Sequence, residues 1–247
     1  MLENNMSKYA MVIDMDRCVT CHACEVACRS HYDVPVPYYR NWVHALPPQG
    51  VYPDIKKVSY VGLCNHCDDA PCVKACPTGA TYKREDGVVV VDKGLCIGCG
   101  LCIDACPYGA RYISPENNKV DKCDFCIDRV TGGEEPACVE TCIAGARIFG
   151  DLDDPKSEVY KLVSAGAQQN ISSKVNVGPN IYYKDSHNDF PVVKAAFPPK
   201  VPKMPTPQKM WTNIIRPLFW IAIGGTFLGQ LAAFAAQLFK GESEVKE

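Results

Sequence analysis

A largely irregular α+β fold, built as two copies of one cysteine-bearing unit and followed by a single C-terminal transmembrane helix, is what this sequence predicts. Three observations carry that prediction. All sixteen cysteines of the 247-residue chain fall into four groups of four between Cys18 and Cys142. The groups repeat in pairs: VIDMDRCVTCHAC (residues 12–24) aligns with VVDKGLCIGCGLC (residues 90–102), and PCVKACPTGA (residues 71–80) with ACVETCIAGA (residues 137–146). Residues 217–239 carry no charge, and at 1.5 Å per residue a helix over them is about 34 Å long, enough to cross a hydrocarbon core of about 30 Å.

Composition narrows the function classes. The formal net charge is only −2 and there is no basic stripe, which argues against a nucleic-acid partner. Cysteine at this density means either a disulfide scaffold or metal. The N-terminus, MLENNMSKYAMVID, has neither a basic region followed by an apolar one nor a twin arginine. Any export is therefore expected to depend on a partner that carries the signal.

The spacing of the cysteines decides between metal and disulfide. The third quartet, Cys96, Cys99, Cys102 and Cys106 before Pro107, reads C-x2-C-x2-C-x3-C-P. That is the bacterial ferredoxin run, in which three thiolates bind one iron–sulfur cluster and the fourth reaches its neighbour. One tight loop must present three sulfurs to one cube, and Gly98 and Gly100 let the backbone pass close. The first quartet, Cys18, Cys21, Cys24 and Cys28, has the same spacing with Arg29 in place of the proline. The second, Cys64, Cys67, Cys72 and Cys76, widens the middle gap to four residues, and the fourth, Cys123, Cys126, Cys138 and Cys142, widens it to eleven. Neither insertion changes the ligand count. Both lengthen loops that leave the cluster and become candidate partner contacts.

Other chemistries fit less well. Zinc takes four ligands but rarely this run. Disulfides would face competing pairings among sulfurs so close along one loop. Cys18-Val19-Thr20-Cys21-His22 matches the haem-attachment pattern C-x-x-C-H, but its cysteines belong to a complete quartet and His22 aligns with Gly100. His66 reads as packing rather than as a ligand. A catalytic cluster would lack one protein ligand, whereas sixteen cysteines fill four clusters with none spare. Electron transfer is the expected function, with no catalytic residue.

Regular structure is expected to be sparse. Asp86-Gly87 before a valine run predicts a hairpin over residues 82–92. A short helix is expected at each C-x-x-x-C end. The insert from Arg29 to Tyr60, with Tyr32, Tyr38, Tyr39, Trp42 and Tyr52, is read as either loop packing or a docking surface. Residues 157–163 suggest one helix and residues 168–187 a surface loop. Pro191, Pro198, Pro199, Pro202, Pro205 and Pro207 then suggest an extended linker.

With quartets of these spacings, the segments DKCDFC, PACVETC and GARIFGDLDDP (residues 145–155) give a resemblance over residues 8–163. The chain resembles the four-cluster [4Fe–4S] electron-transfer subunit of the dimethyl-sulfoxide-reductase, or molybdopterin oxidoreductase, family. Within it the chain looks most like subunits serving polysulfide, thiosulfate, tetrathionate and arsenate reductases. The C-terminal helix is more similar in layout to formate dehydrogenase and hydrogenase electron-transfer subunits.

The resemblance implies two ferredoxin-like units, quartets one and four in residues 1–62 and 120–150, and quartets two and three in residues 63–119. A peripheral segment and linker (151–210), a transmembrane helix (211–240) and a tail (241–247) follow. It also implies four ligand sets. Cluster one takes Cys18, Cys21, Cys24 and Cys142, and cluster two takes Cys64, Cys67, Cys72 and Cys106. Cluster three takes Cys96, Cys99, Cys102 and Cys76, and cluster four takes Cys123, Cys126, Cys138 and Cys28. Exchange of the fourth cysteines follows from ferredoxin chemistry; which quartets pair follows from the resemblance alone.

The expected role is an electron relay in anaerobic respiration, between a molybdopterin-type catalytic subunit and a quinone-linked, multi-helix membrane subunit. Alternatives are a subunit of a membrane hydrogenase or formate dehydrogenase, or a free-standing membrane-tethered polyferredoxin. The helix carries a small-residue stripe (Gly225, Gly229, Ala232, Ala236) with Gln230 and Gln237, as helix–helix contact in a bilayer requires. Lys200, Lys203, Lys209 and Arg216 before it, against Lys240 and Lys246 after it, favour a cytoplasmic cluster domain. The resemblance implies instead a single-pass inner-membrane protein with its clusters on the extracytoplasmic face, which is the expectation adopted.

Overall fold

The computed structural model describes residues 7–241, and the side chains of all of these except residues 208, 209, 212, 213, 227, 228 and 232–241. The chain forms two compact units, one ending at Met204 and the other beginning at Pro205.

The first unit opens with β1 (Tyr9–Asp14), whose run YAMVID is buried from Ala10 onward. Ala10 and Val12 face one apolar cluster with Ile148 and Val159. Met11 and Ile13 face another, which contains Cys24, Cys64, Cys123 and Cys138. A strand covered on both faces reads as continuous rather than alternating hydrophobicity. Helix α1 (Ala23–Tyr32) holds Cys24 and Cys28. The insert after it forms the hairpin β2 (Asn41–Ala45) and β3 (Ser59–Leu63), paired Asn41 to Leu63 through Ala45 to Ser59.

Helix α2 (Pro71–Lys74) follows the second pair of cysteines. The hairpin expected over residues 82–92 is present as β4 (Thr81–Lys83) and β5 (Val89–Val91), with Thr81 opposite Val91. Helix α3 (Leu101–Asp104) then leads to β6 (Tyr112–Ile113) and β7 (Val120–Asp121). Helices α4 (Ile127–Thr131) and α5 (Ala137–Glu140) fall in the fourth quartet, and β8 (Arg147–Asp151) leaves it. Strand β8 returns antiparallel to β1, which sets Arg147 opposite Ile13.

Helix α6 (Glu158–Ser164) matches the expected helix. Residues 168–187, however, are not a surface loop. They contribute β9 (Gln168–Gln169) and β10 (Ile181–Lys184) to a sheet of order β8-β1-β10-β9. Strand β10 runs parallel to β1, Met11 opposite Ile181, and Val175, Val177, Ile181 and Tyr183 are buried. The apolar run Ile181–Tyr183 is too short to show a period, and its partner lies near the far end of the domain, so no local pattern announced it. Pro191 likewise belongs not to a linker but to the first turn of α7 (Phe190–Ala196), where a missing N–H costs nothing.

The second unit comprises α8 (Pro207–Met210), a π-helical turn (Trp211–Ile215) and α9 (Arg216–Gly241). Among the described residues, no helix is long and apolar enough to cross a membrane. The apolar run behind the transmembrane expectation passes through residues 227–228 and 232–239, whose side chains, those of Ala232, Ala236 and Gln237 among them, lie outside the described residues. Leu218, Phe219, Trp220, Ile221, Ile223 and Leu231 are exposed.

Candidate metal centres

Each quartet is built the same way. The residue before the second cysteine has a left-handed backbone in all four: Thr20 (φ 57°), His66 (φ 43°), Gly98 (φ 68°) and Phe125 (φ 60°). That turn curls the loop so that its sulfurs point to a common interior, and outside glycine it carries a steric cost. At Gly98 the turn admits nothing larger, since a Cβ there would lie 2.1 Å from the Asn118 carbonyl. The third cysteine then enters a short helix: Cys24 in α1, Cys72 in α2, Cys102 in α3 and Cys138 in α5. His22 and Gly100, equivalent in the repeat, are both left-handed N-caps, at φ 61° and 74°. His22 Nδ1 lies 3.2 Å from the Glu25 carboxylate, so the histidine of the haem-like motif is an N-cap residue of α1.

The helices bring quartets together in twos. Helix α1 packs on α5, and α2 on α3. Cys28 neighbours Cys138 and Cys126, and Cys123 neighbours Cys28. In the other pair, Cys67 neighbours Cys64, Cys106 and Cys72, and Cys102 neighbours Cys76 and Cys99. Cys18, Cys21, Cys24 and Cys142 line one cavity, together with Ile13, Val43, Val61 and Arg147.

Several features fit these sites to iron–sulfur clusters. Burial pushes the thiols of Cys24, Cys67, Cys72, Cys102, Cys106 and Cys123 upward, and that of Cys28 to about 12. Thiols so reluctant to ionise become thiolates when metal binds them. The four cysteines around the Cys18 cavity surround a space. Two buried donors, His66 Nε2 and Arg111 Nε, have no partner among the described residues, and buried donors are normally satisfied. Both are among cysteines: His66 lies between Cys64 and Cys67, and Arg111 donates to Cys72 Sγ at 3.0 Å. A bound [4Fe–4S] cluster supplies one-electron transfer.

The two pairs of quartets meet at an aromatic contact. The His66 and Phe125 rings, from equivalent positions in quartets two and four, stack with centroids 3.8 Å apart. His66 Nδ1 accepts a hydrogen bond from the Val89 N–H at 3.0 Å, which fixes the tautomer that bears a proton on Nε2. His66 thus packs on Phe125 and keeps an Nε2 donor among the cysteines.

Residues 57–152 match the model of the 4Fe-4S dicluster domain, and residues 15–38 that of the 4Fe-4S binding domain. A tetrathionate reductase subunit from Salmonella typhimurium is 41% identical over 179 residues, covering 71% of this chain and 72% of that protein. This chain is a member of the [4Fe–4S] electron-transfer subunits of the dimethyl-sulfoxide-reductase family. A polysulfide reductase subunit from Wolinella succinogenes is 41% identical over 177 residues, 71% of this chain and 93% of that one. The thiosulfate reductase electron transfer subunit of Salmonella typhi is 43% identical over 159 residues, 64% of this chain and 82% of that one. Like other subunits of this family, the chain is not the catalytic component; it carries multiple [4Fe–4S] clusters, and its sixteen cysteines are as many as four such clusters take.

The cysteine spacing did not reveal two buried arginines. Arg111 and Arg147 each stand five residues after the last cysteine of a quartet, in the repeated string Cys-x-x-Gly-Ala-Arg (residues 106–111 and 142–147). The string Cys-x-x-Gly-Ala-Arg, shared by quartets three and four, is the signal that marks them. Within the insert, Tyr38 stacks on Tyr112 at 4.8 Å and Arg40 lies 3.7 Å over the Tyr32 ring, so part of it is packing. Its tip, with Val51, Tyr52 and Ile55, is exposed.

Proposed function

We propose that this subunit relays single electrons in the order cluster one, four, two, three, between a molybdopterin-type catalytic subunit and a quinone-linked, multi-helix membrane subunit. The ligand sets are those expected from the sequence: Cys18, Cys21, Cys24, Cys142; Cys123, Cys126, Cys138, Cys28; Cys64, Cys67, Cys72, Cys106; and Cys96, Cys99, Cys102, Cys76. The observation that carries the reading is the gradient of burial along this order. Cys21 is exposed and Cys18 and Cys142 are half-buried, all four ligands of cluster four are buried, cluster two has one half-buried ligand, Cys106, and cluster three has two, Cys99 and Cys76. A chain of centres with wet ends and a dry middle suits entry and exit at two different partners. The stacked His66–Phe125 contact supports transfer between the inner two. Cluster potentials span about −700 to +450 mV with environment.

The exposed apolar side chains of α9 from Leu218 to Leu231 support insertion in the bilayer beside the membrane partner. Gly225 and Gly229 leave an open face on that helix, with nothing within 4 Å of either Cβ position. The cluster domain then lies on the extracytoplasmic face. The enzyme served is of the kind named for the relatives, a reductase of tetrathionate, polysulfide or thiosulfate. Purification in mild detergent, followed by a reductive titration read by EPR, tests this. Fewer than four clusters per chain, or the absence of co-purifying catalytic and membrane subunits, refutes it. Deletion of residues 211–247 is expected to release the complex from membranes.

A further inference from the structure

Arg147 and Arg111 are buried in equivalent places, one in each pair of quartets. Arg147 donates from Nη2 to Cys24 Sγ at 3.3 Å and from Nη1 to Cys138 Sγ at 3.5 Å. Those are the third cysteines of quartets one and four. Arg111 donates from Nη2 to Cys72 Sγ at 3.0 Å and faces Cys102, the third cysteines of quartets two and three. Each guanidinium thus touches a ligand of both clusters in its pair. Each is also steadied by neutral acceptors, Asn41 Oδ1 at 3.0 Å and Met11 Sδ at 3.8 Å for Arg147, and Thr81 Oγ1 at 3.2 Å for Arg111. Among the described residues neither has a carboxylate in salt-bridge range, unlike Arg40, whose partners are Asp121 and Asp124. A buried cation is costly unless an anion offsets it, and among the described residues the groups within reach that would be anionic are the cysteines, as thiolates of a bound cluster.

We propose that Arg147 and Arg111 are the potential-setting residues of the relay, each a fixed positive charge shared by the two clusters of one pair. The inference rests on the cluster pairing proposed above. Reduction adds one negative charge to a cluster, and a cation that donates to ligands of both stabilises the reduced form of each. It also offsets the repulsion that a first electron exerts on a second entering the same pair. Local charge and hydrogen bonds to sulfur are the recognised levers on such potentials.

The test is an EPR-monitored redox titration, with iron counting, of the full complex carrying Arg147→Gln, Arg147→Lys, Arg111→Gln or Arg111→Lys. Gln and Lys both lose the guanidinium fork, and only Lys keeps the charge. Arg147→Gln is expected to make both clusters of its pair at least tenfold harder to reduce, about 59 mV for one electron, and to leave the other two unchanged. Arg111→Gln is expected to do the converse, and each Lys variant to hold its pair closer to the wild type. Iron loss in the Gln variant alone also counts for the charge. Equal potentials in Gln and Lys variants, a uniform shift of all four clusters, or iron loss in both variants overturns the proposal. If two clusters shift but cysteine-to-serine variants assign them to different pairs, the pairing fails and the role of the arginine stands.

Discussion

Replacing Arg40 with methionine removes the tie between the aromatic insert and the entry to quartet four. Arg40 donates to Asp121 through Nε and Nη2, both at 2.8 Å, with side-chain exposures of 9% and 11%. Burial alone would raise the Asp121 carboxyl, yet Arg40, Lys93 and Tyr112 hold it well below the ordinary carboxylate range. Breaking a buried pair from one side costs about 3–5 kcal/mol. Lys93 Nζ at 2.7 Å and the Tyr112 hydroxyl at 2.6 Å remain on Asp121, so the expected loss is at the lower end, about 3 kcal/mol. For a chain of this size that lowers the midpoint by about 6–12 °C, read as thermal bleaching of the cluster absorbance under argon. The double variant Arg40→Met/Asp121→Asn should recover part of the loss, because the buried Asp121 charge is no longer stranded, while Asp124 and Lys93, which lose a partner, are more exposed. A single-variant midpoint within about 2 °C of the wild type, or a double variant less stable than the single, would refute the reasoning.

Phe125→Ala deletes a ring that is 1% exposed and stacked on His66; it should cost about 3–5 kcal/mol, measured by the same bleaching curve. Gly98→Ala drives a Cβ to 2.1 Å from the Asn118 carbonyl and should strip iron from the pair formed by quartets two and three. Gly109→Ala shares a positive φ of 65° but meets nothing within 4 Å, so it should retain all its iron at a cost of about 1–2 kcal/mol. Exchange of the fourth cysteines predicts that Cys28→Ser and Cys126→Ser alter one EPR signal, and Cys142→Ser and Cys21→Ser another. Coincident effects of Cys28→Ser and Cys21→Ser would contradict it.

What could be read in advance was whatever the chain writes locally. Each quartet is compressed into a short stretch, so spacing alone groups all sixteen cysteines in fours, and the repeat gives the equivalence of His22 with Gly100. The β4–β5 hairpin was legible because Asp86-Gly87 sets its turn. Contacts made at long range were not. Strand β10 finds β1 across the domain, and its three apolar residues, Ile181–Tyr183, lack a period of their own. Arg111 and Arg147 were passed over because arginine is ordinarily a surface residue. Only the fold reveals that the strand after quartet four carries Arg147 inward, opposite Ile13.

The parallel pairing of Met11 with Ile181 has a consequence in time as well as in space. A ribosome adding about 5–20 residues per second needs roughly 10–35 s to make the intervening chain. Until Ile181 is made β1 lacks its β10 neighbour. Only for the last 39 residues of that interval, from Cys142 to Ile181 and about 2–8 s, has every cysteine already been made. Long-range pairing of this kind closes late. The unfinished sheet therefore leaves a period in which all four quartets exist and the domain is not yet shut around them, and iron can reach thiols that the finished fold buries.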